Sequence, residues 1–397
     1  MNFTDIFSAV KEGTVEDVQY FIKINNVNVN QKDEDGWTLL HHAAMSNSNV
    51  EVLKYLISQG VDVNAKSNSG KTPLFGCAQG NTNVKVFDYL VSLGSNVKER
   101  NNDGVTPLHD AAQYNSNVKV LEFLISQGAD VNAKNNENRT PLHNAAWNNI
   151  NVNILEYLLS QGSDVNAKNQ NDMTPLHFAT VNDNNTEVAK ILISKGANVN
   201  AKDDLGLTPL HSSVNDKNIE FAKMLISEGA DVNSRNNIDI SPLYTAINGG
   251  QIEFAKILIA AGANINDKFK GKGWTPLHIA ASKENIEIAN ILISKGANVN
   301  AKDDKGNTPL QNWIFLKNEN IEFARILISA GADVNTENIE GTIPLFWAVH
   351  HQLVGVVRFL ISVGADVNAK RDKNGGTIIS YARFLGNEKI IECLSEG

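Results

Sequence analysis

Thr174-Pro175-Leu176-His177 and Thr208-Pro209-Leu210-His211 are the same four residues one period apart, and their slot returns along the whole chain every 33 to 35 residues. Aligned on its second residue, the slot holds Leu39, Pro73, Pro107, Pro141, Pro175, Pro209, Pro242, Pro276, Pro309, Pro344 and Ile378, so all 9 prolines of the chain share it. None is left over for the loops of a separate catalytic domain. A glycine column keeps step with it: Gly60, Gly94, Gly128, Gly162, Gly196, Gly229, Gly262, Gly296, Gly331 and Gly364, each followed by a run of the Asp/Asn-Val/Ile-Asn kind. A fixed period of this length signals stacked supersecondary units, none of which can bury its apolar face alone.

Each column has a physical task. The threonine hydroxyl can cap a helix start, and the proline takes the first helical position, where its missing N–H costs nothing. The histidine falls where a capping box places Glu or Gln, so its expected use is a reciprocal hydrogen bond, a structural role. A second helix follows, as in Ile286, Ala289, Ile291, Leu292 and Ile293, and Gly296 supplies the left-handed residue that ends it. Polar segments such as Asn300 to Gly306 carry turn chemistry and read as projecting, hairpin-like fingers.

Runs such as Gly206-Leu207-Thr208-Pro209-Leu210-His211 and Gly196-Ala197-Asn198-Val199-Asn200-Ala201-Lys202 resemble the ankyrin repeat, and the resemblance covers essentially the whole chain. It implies an all-α repeat fold, an ankyrin-type solenoid of about twelve helix-turn-helix units joined by fingers. The expected organisation is a single domain over 1–397, with an N-terminal capping repeat at 1–35, ten full repeats over 36–376 and a C-terminal capping repeat at 377–397. The opening repeat keeps both helical patterns (Ile6 to Val10, then Val15 to Ile24) but has Asn25 and Asn26 where others have glycine. Terminal repeats need one polar outer face.

The chain has 397 residues, 42% of them apolar, and no linker or low-complexity stretch breaks the period. A net charge of −9 disfavours nonspecific binding to nucleic acid or anionic membrane and mildly favours basic partners. The N-terminus lacks a basic region followed by an apolar stretch, and no run of about 18 apolar residues occurs. The expectation is a soluble, cytoplasmic monomer, with delivery into a host cell as an effector left open. Cys77 and Cys393 lie in distant repeats and read as free thiols; Cys77 takes a slot held by alanine elsewhere (Ala111, Ala145). Richness in Asn, Lys and Ile reads as the composition of an AT-rich genome.

The tempting chemistry is weak. Six motif histidines (His41, His109, His143, His177, His211, His278) recur one per repeat, and stacking holds neighbours roughly 10 Å apart. Two zinc ligands sit about 2.1 Å from the ion, so no shared metal site is expected. The Lys268-Phe269-Lys270-Gly271-Lys272-Gly273-Trp274 finger is basic but lacks the phosphate-wrapping Gly-x4-Gly-Lys-Ser/Thr pattern. No catalytic residue, metal or cofactor is assigned. An enzyme or toxin with a site built on the repeats is the competing reading, and it needs an irregular insertion carrying a nucleophile and its orienting partner. No insertion exceeds two residues.

The resemblance therefore implies a protein-protein interaction scaffold, an effector, adaptor or inhibitor, binding one or more proteins on a concave surface of finger tips and first helices. It also implies the contact positions: the residue before each tetrapeptide and the pair that follows the small residues of the first helix. At these positions stand Trp37, Tyr114, Trp147, Met173, Val181, Leu207, Trp274, Phe315, Leu316, His350 and His351, with Phe269 on the neighbouring finger. They form two runs, Tyr114 to Leu207 and Phe269 to Leu316. Trp147 is the expected anchor, because Gln113 and Val181 fill the same slot in the adjoining repeats and the frame does not demand tryptophan there. In repeat ten, Gln311 replaces the motif histidine, and Trp313 and Ile314 fill small-residue slots, which predicts overpacking and weaker protection.

Overall fold

A computed structural model describes residues 3–24, 27–148, 151–180, 186–215, 217–370 and 376–396. Among them are 24 α-helices in antiparallel pairs, from Ile6–Glu12 with Val15–Ile24 to Ile378–Leu385 with Glu388–Glu396. The chain is an all-α solenoid of twelve helix pairs. Asn25 and Asn26, which set the opening repeat apart in sequence, lie outside the described residues. Contacts gather the chain into two compact blocks: residues 1–204 with 227–229, and residues 205–226 with 230–397.

In the first block the capping column does two jobs. The backbone N–H of Thr38 donates to His41 Nδ1 at 3.1 Å, so Nδ1 must be the bare nitrogen, and Nε2–H donates to the carbonyl of Lys71 at 2.9 Å. The same pair of bonds joins His109 to Thr106 and Arg139, and His143 to Thr140 and Met173. Each imidazole thus caps its own helix and ties it to the finger of the next repeat. Burial holds His41, His109 and His143 neutral, pushing them from 6.5 down to about 4. In the second block His211 reaches Ile240 and His278 reaches Asn307 in the same way. Gln311 reproduces the arrangement without a ring: its Oε1 accepts from Thr308 N–H at 2.9 Å and its Nε2 donates to the Thr342 carbonyl at 3.0 Å.

Asparagine supplies a second set of ties. Asn47, Asn81 and Asn115 sit buried in the turn between the two helices of their repeats. Asn81 Nδ2 donates to the carbonyls of Ala44 and Asn47, and Asn115 Nδ2 to those of Ala78 and Asn81, all within 2.9–3.0 Å. From repeat seven onward the same turn is instead closed by a left-handed residue, Lys217, Gly250, Glu284, Lys317 or Gln352. After the second helix another asparagine bridges repeats: Asn132 Nδ2 donates to the Gly162 carbonyl while its Oδ1 accepts from Asp164 N–H, both at 2.9 Å. Asn166 and, in the second block, Asn300 and Asn335 repeat the pairing. At finger tips Asn68, Asn102 and Asn136 each donate to the preceding finger.

Two glycine columns have different causes. Gly296 has φ +90° with open space around a notional Cβ, so backbone conformation alone demands it. Gly70 has φ +79°, and a Cβ there would also overlap Asn102 Oδ1 of the next finger. The Gly70 column also holds Asn138 and Asp172, at φ 58° and 57°, a left-handed conformation that Asn and Asp adopt more readily than other side chains.

The core is leucine, isoleucine, valine and small residues between helices, with Leu40, Leu53, Leu56 and the Ala43-Ala44 and Ala111-Ala112 pairs fully buried. Cys77 sits in that small-residue slot, its thiol pushed up by burial, and Cys393 is also buried and free. Trp313 is fully buried, stacks on Phe323 at 6.4 Å and donates its indole N–H to Glu284 at 3.1 Å. The expected overpacking of repeat ten is thus accompanied by a satisfied donor and a ring partner.

Candidate docking surface

The finger and the first helix of each repeat are adjacent in sequence, and in repeats nine to eleven their variable side chains line one groove. In the first block, Trp37 is half-buried against its own helix, its ring 5.3 Å from His41 and 5.5 Å from His42. Tyr114 is 51% exposed. Trp147 is 36% exposed and meets Phe178 of the next repeat edge to face at 6.3 Å, with the Arg139 guanidinium 5.4 Å from its ring. The indole is therefore part of the packing between repeats as well as part of the surface. Met173 is half-buried, and Val181 lies outside the described residues. Nearby, Asp110 is buried beside Lys71 at 2.8 Å and Gln79 at 3.0 Å, and desolvation raises its carboxyl.

In the second block, Leu207 and Phe269 are half-buried, and Phe269 stacks on Tyr244 at 4.5 Å. Trp274 carries the Lys272 ammonium 4.4 Å from its ring. Phe315 and Leu316 are 45% and 44% exposed. The structure brings Trp274, Phe315 and Leu316 together around one groove of about 350 Å³, closed by Trp347 and by the finger residues Asp303, Asp304, Ile339 and Glu340. Phe315 and Trp347 meet edge to face at 4.9 Å. Asp303 is held by its own finger, its carboxylate accepting from Asn307 N–H at 2.8 Å and from Asn312 Nδ2 at 3.3 Å. Asp304 and Glu340 stand exposed at the rim.

His350 and His351 continue the aromatic surface. His350 Nδ1 is 2.8 Å from the Tyr381 hydroxyl, and the two rings stack 6.0 Å apart. His351 packs on Trp347, and burial, then the neighbouring His350, lowers its basicity. Among the described residues, no cluster of three or more His, Cys, Asp or Glu could hold a metal ion.

Sequence reasoning missed Trp347, Ile339 and Tyr381. Trp347 occupies a slot held by Asp110, Asn144 and Asn312 in other repeats, four residues before the chosen pair position and so on the same helix face. Ile339, 58% exposed, stands where Asn68, Asn102 and Asn136 make their ladder bonds, and its apolar character in a polar column was the available signal.

A family model for ankyrin repeats (three copies) matches residues 6–101, 76–169, 142–236, 234–303 and 313–397. The chain belongs to the ankyrin-repeat family. Comparison with curated proteins finds no match. Ankyrin repeats are in general protein-protein interaction modules, and proteins built of them are typically non-enzymatic scaffolds. No helix among the described residues is long and apolar enough to cross a membrane.

Proposed function

We propose that the chain is a non-enzymatic scaffold that docks a protein partner in the groove lined by Trp274, Phe315, Leu316 and Trp347. The single observation behind this reading is the groove itself: an aromatic-walled hollow of about 350 Å³ lined by three exposed apolar side chains, Phe315, Leu316 and Ile339. Exposed aromatics grouped at one spot are what protein interfaces draw their energy from. A standard interface takes about 20 to 30 residues per side, more than one groove provides, so the fingers and first helices beside it belong to the same footprint. The net charge of −9 favours a protein over nucleic acid. The scaffold acts as a monomer in the cytoplasm, with 1–397 as one ankyrin-repeat domain.

The test is photo-crosslinking from a benzoylphenylalanine placed at Leu316, with Lys256 on a second helix as control position. The expected result is a discrete protein adduct from position 316, lost when Phe315 is changed to Ala, and none from 256. Equal labelling from both positions, or adducts to nucleic acid alone, would count against docking here. Tyr114, exposed by 51% in the first block, favours a second patch with Trp147, read out by the same crosslinker at position 114.

A further inference from the structure

In the first block the two bonds of each capping imidazole depend on one protonation state. Thr38, Thr106 and Thr140 each donate a backbone N–H to a bare Nδ1 at 3.1–3.2 Å, and Nε2–H carries the tie to the next finger. His41, His109 and His143 are 0% exposed. A proton on Nδ1 turns that acceptor into a donor aimed at another donor, and it places a charge where no water reaches. The cap bond is then lost, and the ring is relieved only when its helix start opens. His41 is faced by Lys32, Asp33 and His42, His109 by Arg100 and Asp130, and His143 by Arg139 and His109; burial outweighs these charges in all three.

The second block fills the same slot differently. His211 and His278 recur, but Tyr244, Gln311, Phe346 and Ser380 stand there in repeats eight, ten, eleven and twelve. Gln311 keeps both bonds through an amide that takes up no proton. His350 and His351 lie at the end of their helix and cap no start. The Tyr381 hydroxyl beside His350 Nδ1 can accept from a protonated ring as well as donate to a neutral one.

We propose that the chain carries an acid-sensitive switch: mild acid opens repeats two to five through protonation of His41, His109 and His143, while repeats eleven and twelve stay closed. Solenoid stability is carried between neighbours, so a repeat whose tie fails opens without the far end following. Burial lowers the three histidines from 6.5 to about 4, so the unfolded chain takes up the proton first, and the stability is whole above pH 6.5 and is lost as pH falls toward 4. A drop from pH 7.5 to 5.0 raises the opening equilibrium roughly thirtyfold for each ring. His42, also lowered by burial, adds to the loss; Asp110, whose carboxyl burial raises, works in the opposite direction; and Asp33, lowered from 3.8, responds only in stronger acid.

The experiment is hydrogen exchange of the full chain, read by mass spectrometry at pH 7.5 and 5.0 and corrected for the pH dependence of intrinsic exchange. Amides of repeats two to five should lose protection by roughly thirtyfold or more, and those of repeats eleven and twelve should keep theirs. The triple variant His41→Gln, His109→Gln, His143→Gln should lose the acid response of the first block. The converse variant, Gln311→His, should bring an acid response to repeats ten and eleven. Equal loss of protection in both parts, or loss confined to repeats eleven and twelve, overturns the proposal. A triple variant that folds and loses protection as the parent does also overturns it. If the triple variant is unfolded at pH 7.5, Gln311→His decides alone, and the absence of a new acid response in repeats ten and eleven overturns the role given to the imidazole.

Discussion

His109→Gln should leave the protein close to its parent stability at neutral pH and make it measurably less sensitive to acid. In the folded chain His109 accepts from Thr106 N–H and donates to the Arg139 carbonyl, bonds that Gln311 makes with Thr308 and Thr342 in repeat ten. The bonds are thus available to either side chain. The acid sensitivity is not, because burial lowers His109 from 6.5 to about 4 and glutamine does not titrate. A depressed folded value means that the unfolded chain takes up the proton first. The stability is fully present above pH 6.5, is lost as pH falls from 6.5 toward 4, and falls no further below that. By this linkage, lowering the pH from 7.5 to 5.0 costs roughly 2 kcal/mol at one such histidine, and the substitution should remove about that much of the loss. Urea unfolding of parent and variant at the two pH values measures the difference of differences, in which carboxylates common to both chains cancel. Equal acid losses in parent and variant would refute the assignment of the loss to this imidazole. A drop of more than about 2 kcal/mol at pH 7.5 would show that the amide does not reproduce the ring's two bonds.

Trp147→Ala should lower stability by about 1–2 kcal/mol in urea unfolding, because the indole packs on Phe178 and Arg139; an unchanged curve would restore it to the role of a pure surface anchor. Trp313→Ala empties a fully buried site and strands Glu284, so a loss of about 3–5 kcal/mol is expected, and a gain in stability or in amide protection of repeat ten would instead show that the tryptophan is overpacked. Asn81→Ala removes the donor that reaches the carbonyls of Ala44 and Asn47, which should cost about 2–3 kcal/mol and speed hydrogen exchange in repeats two and three; exchange unchanged there would mean that these carbonyls find other partners.

Fold and capping chemistry are legible from the chain because they act over three or four residues. Proline in the first helical position, threonine before it and histidine after it specify a helix start locally, and the structure places each as its chemistry predicts. The asparagine ties act over 30 to 37 residues, as between Asn132 and Gly162 or Asn115 and Ala78. Their carbonyl partners carry no side-chain signature, so the asparagines looked like compositional bias. The groove is intermediate. Trp274, Phe315 and Leu316 are visible as apolar side chains in variable slots, but Trp347 hides one turn earlier on the helix, in a slot that holds Asp110, Asn144 and Asn312 in some repeats and Phe178 and Ile279 in others. Trp147 adds a contact that its slot did not announce: the indole is exposed by 36% and also packs on Phe178 and Arg139.

In the middle repeats the asparagine after the second helix, as at Asn132 and Asn166, donates to a glycine carbonyl about 30 residues ahead and accepts from a backbone N–H about 32 residues ahead. Neither partner uses a side chain, so neither can distinguish one repeat from another. Removal of residues 133–166 would present Asn132 with Gly196 and Asn198 in place of Gly162 and Asp164, and the joint would close with the same two bonds. Insertion of one period would close equally well. This joint therefore sets no limit of its own on whole-period duplication or loss, and a gene for such a chain can lengthen or shorten its protein in a single recombination event.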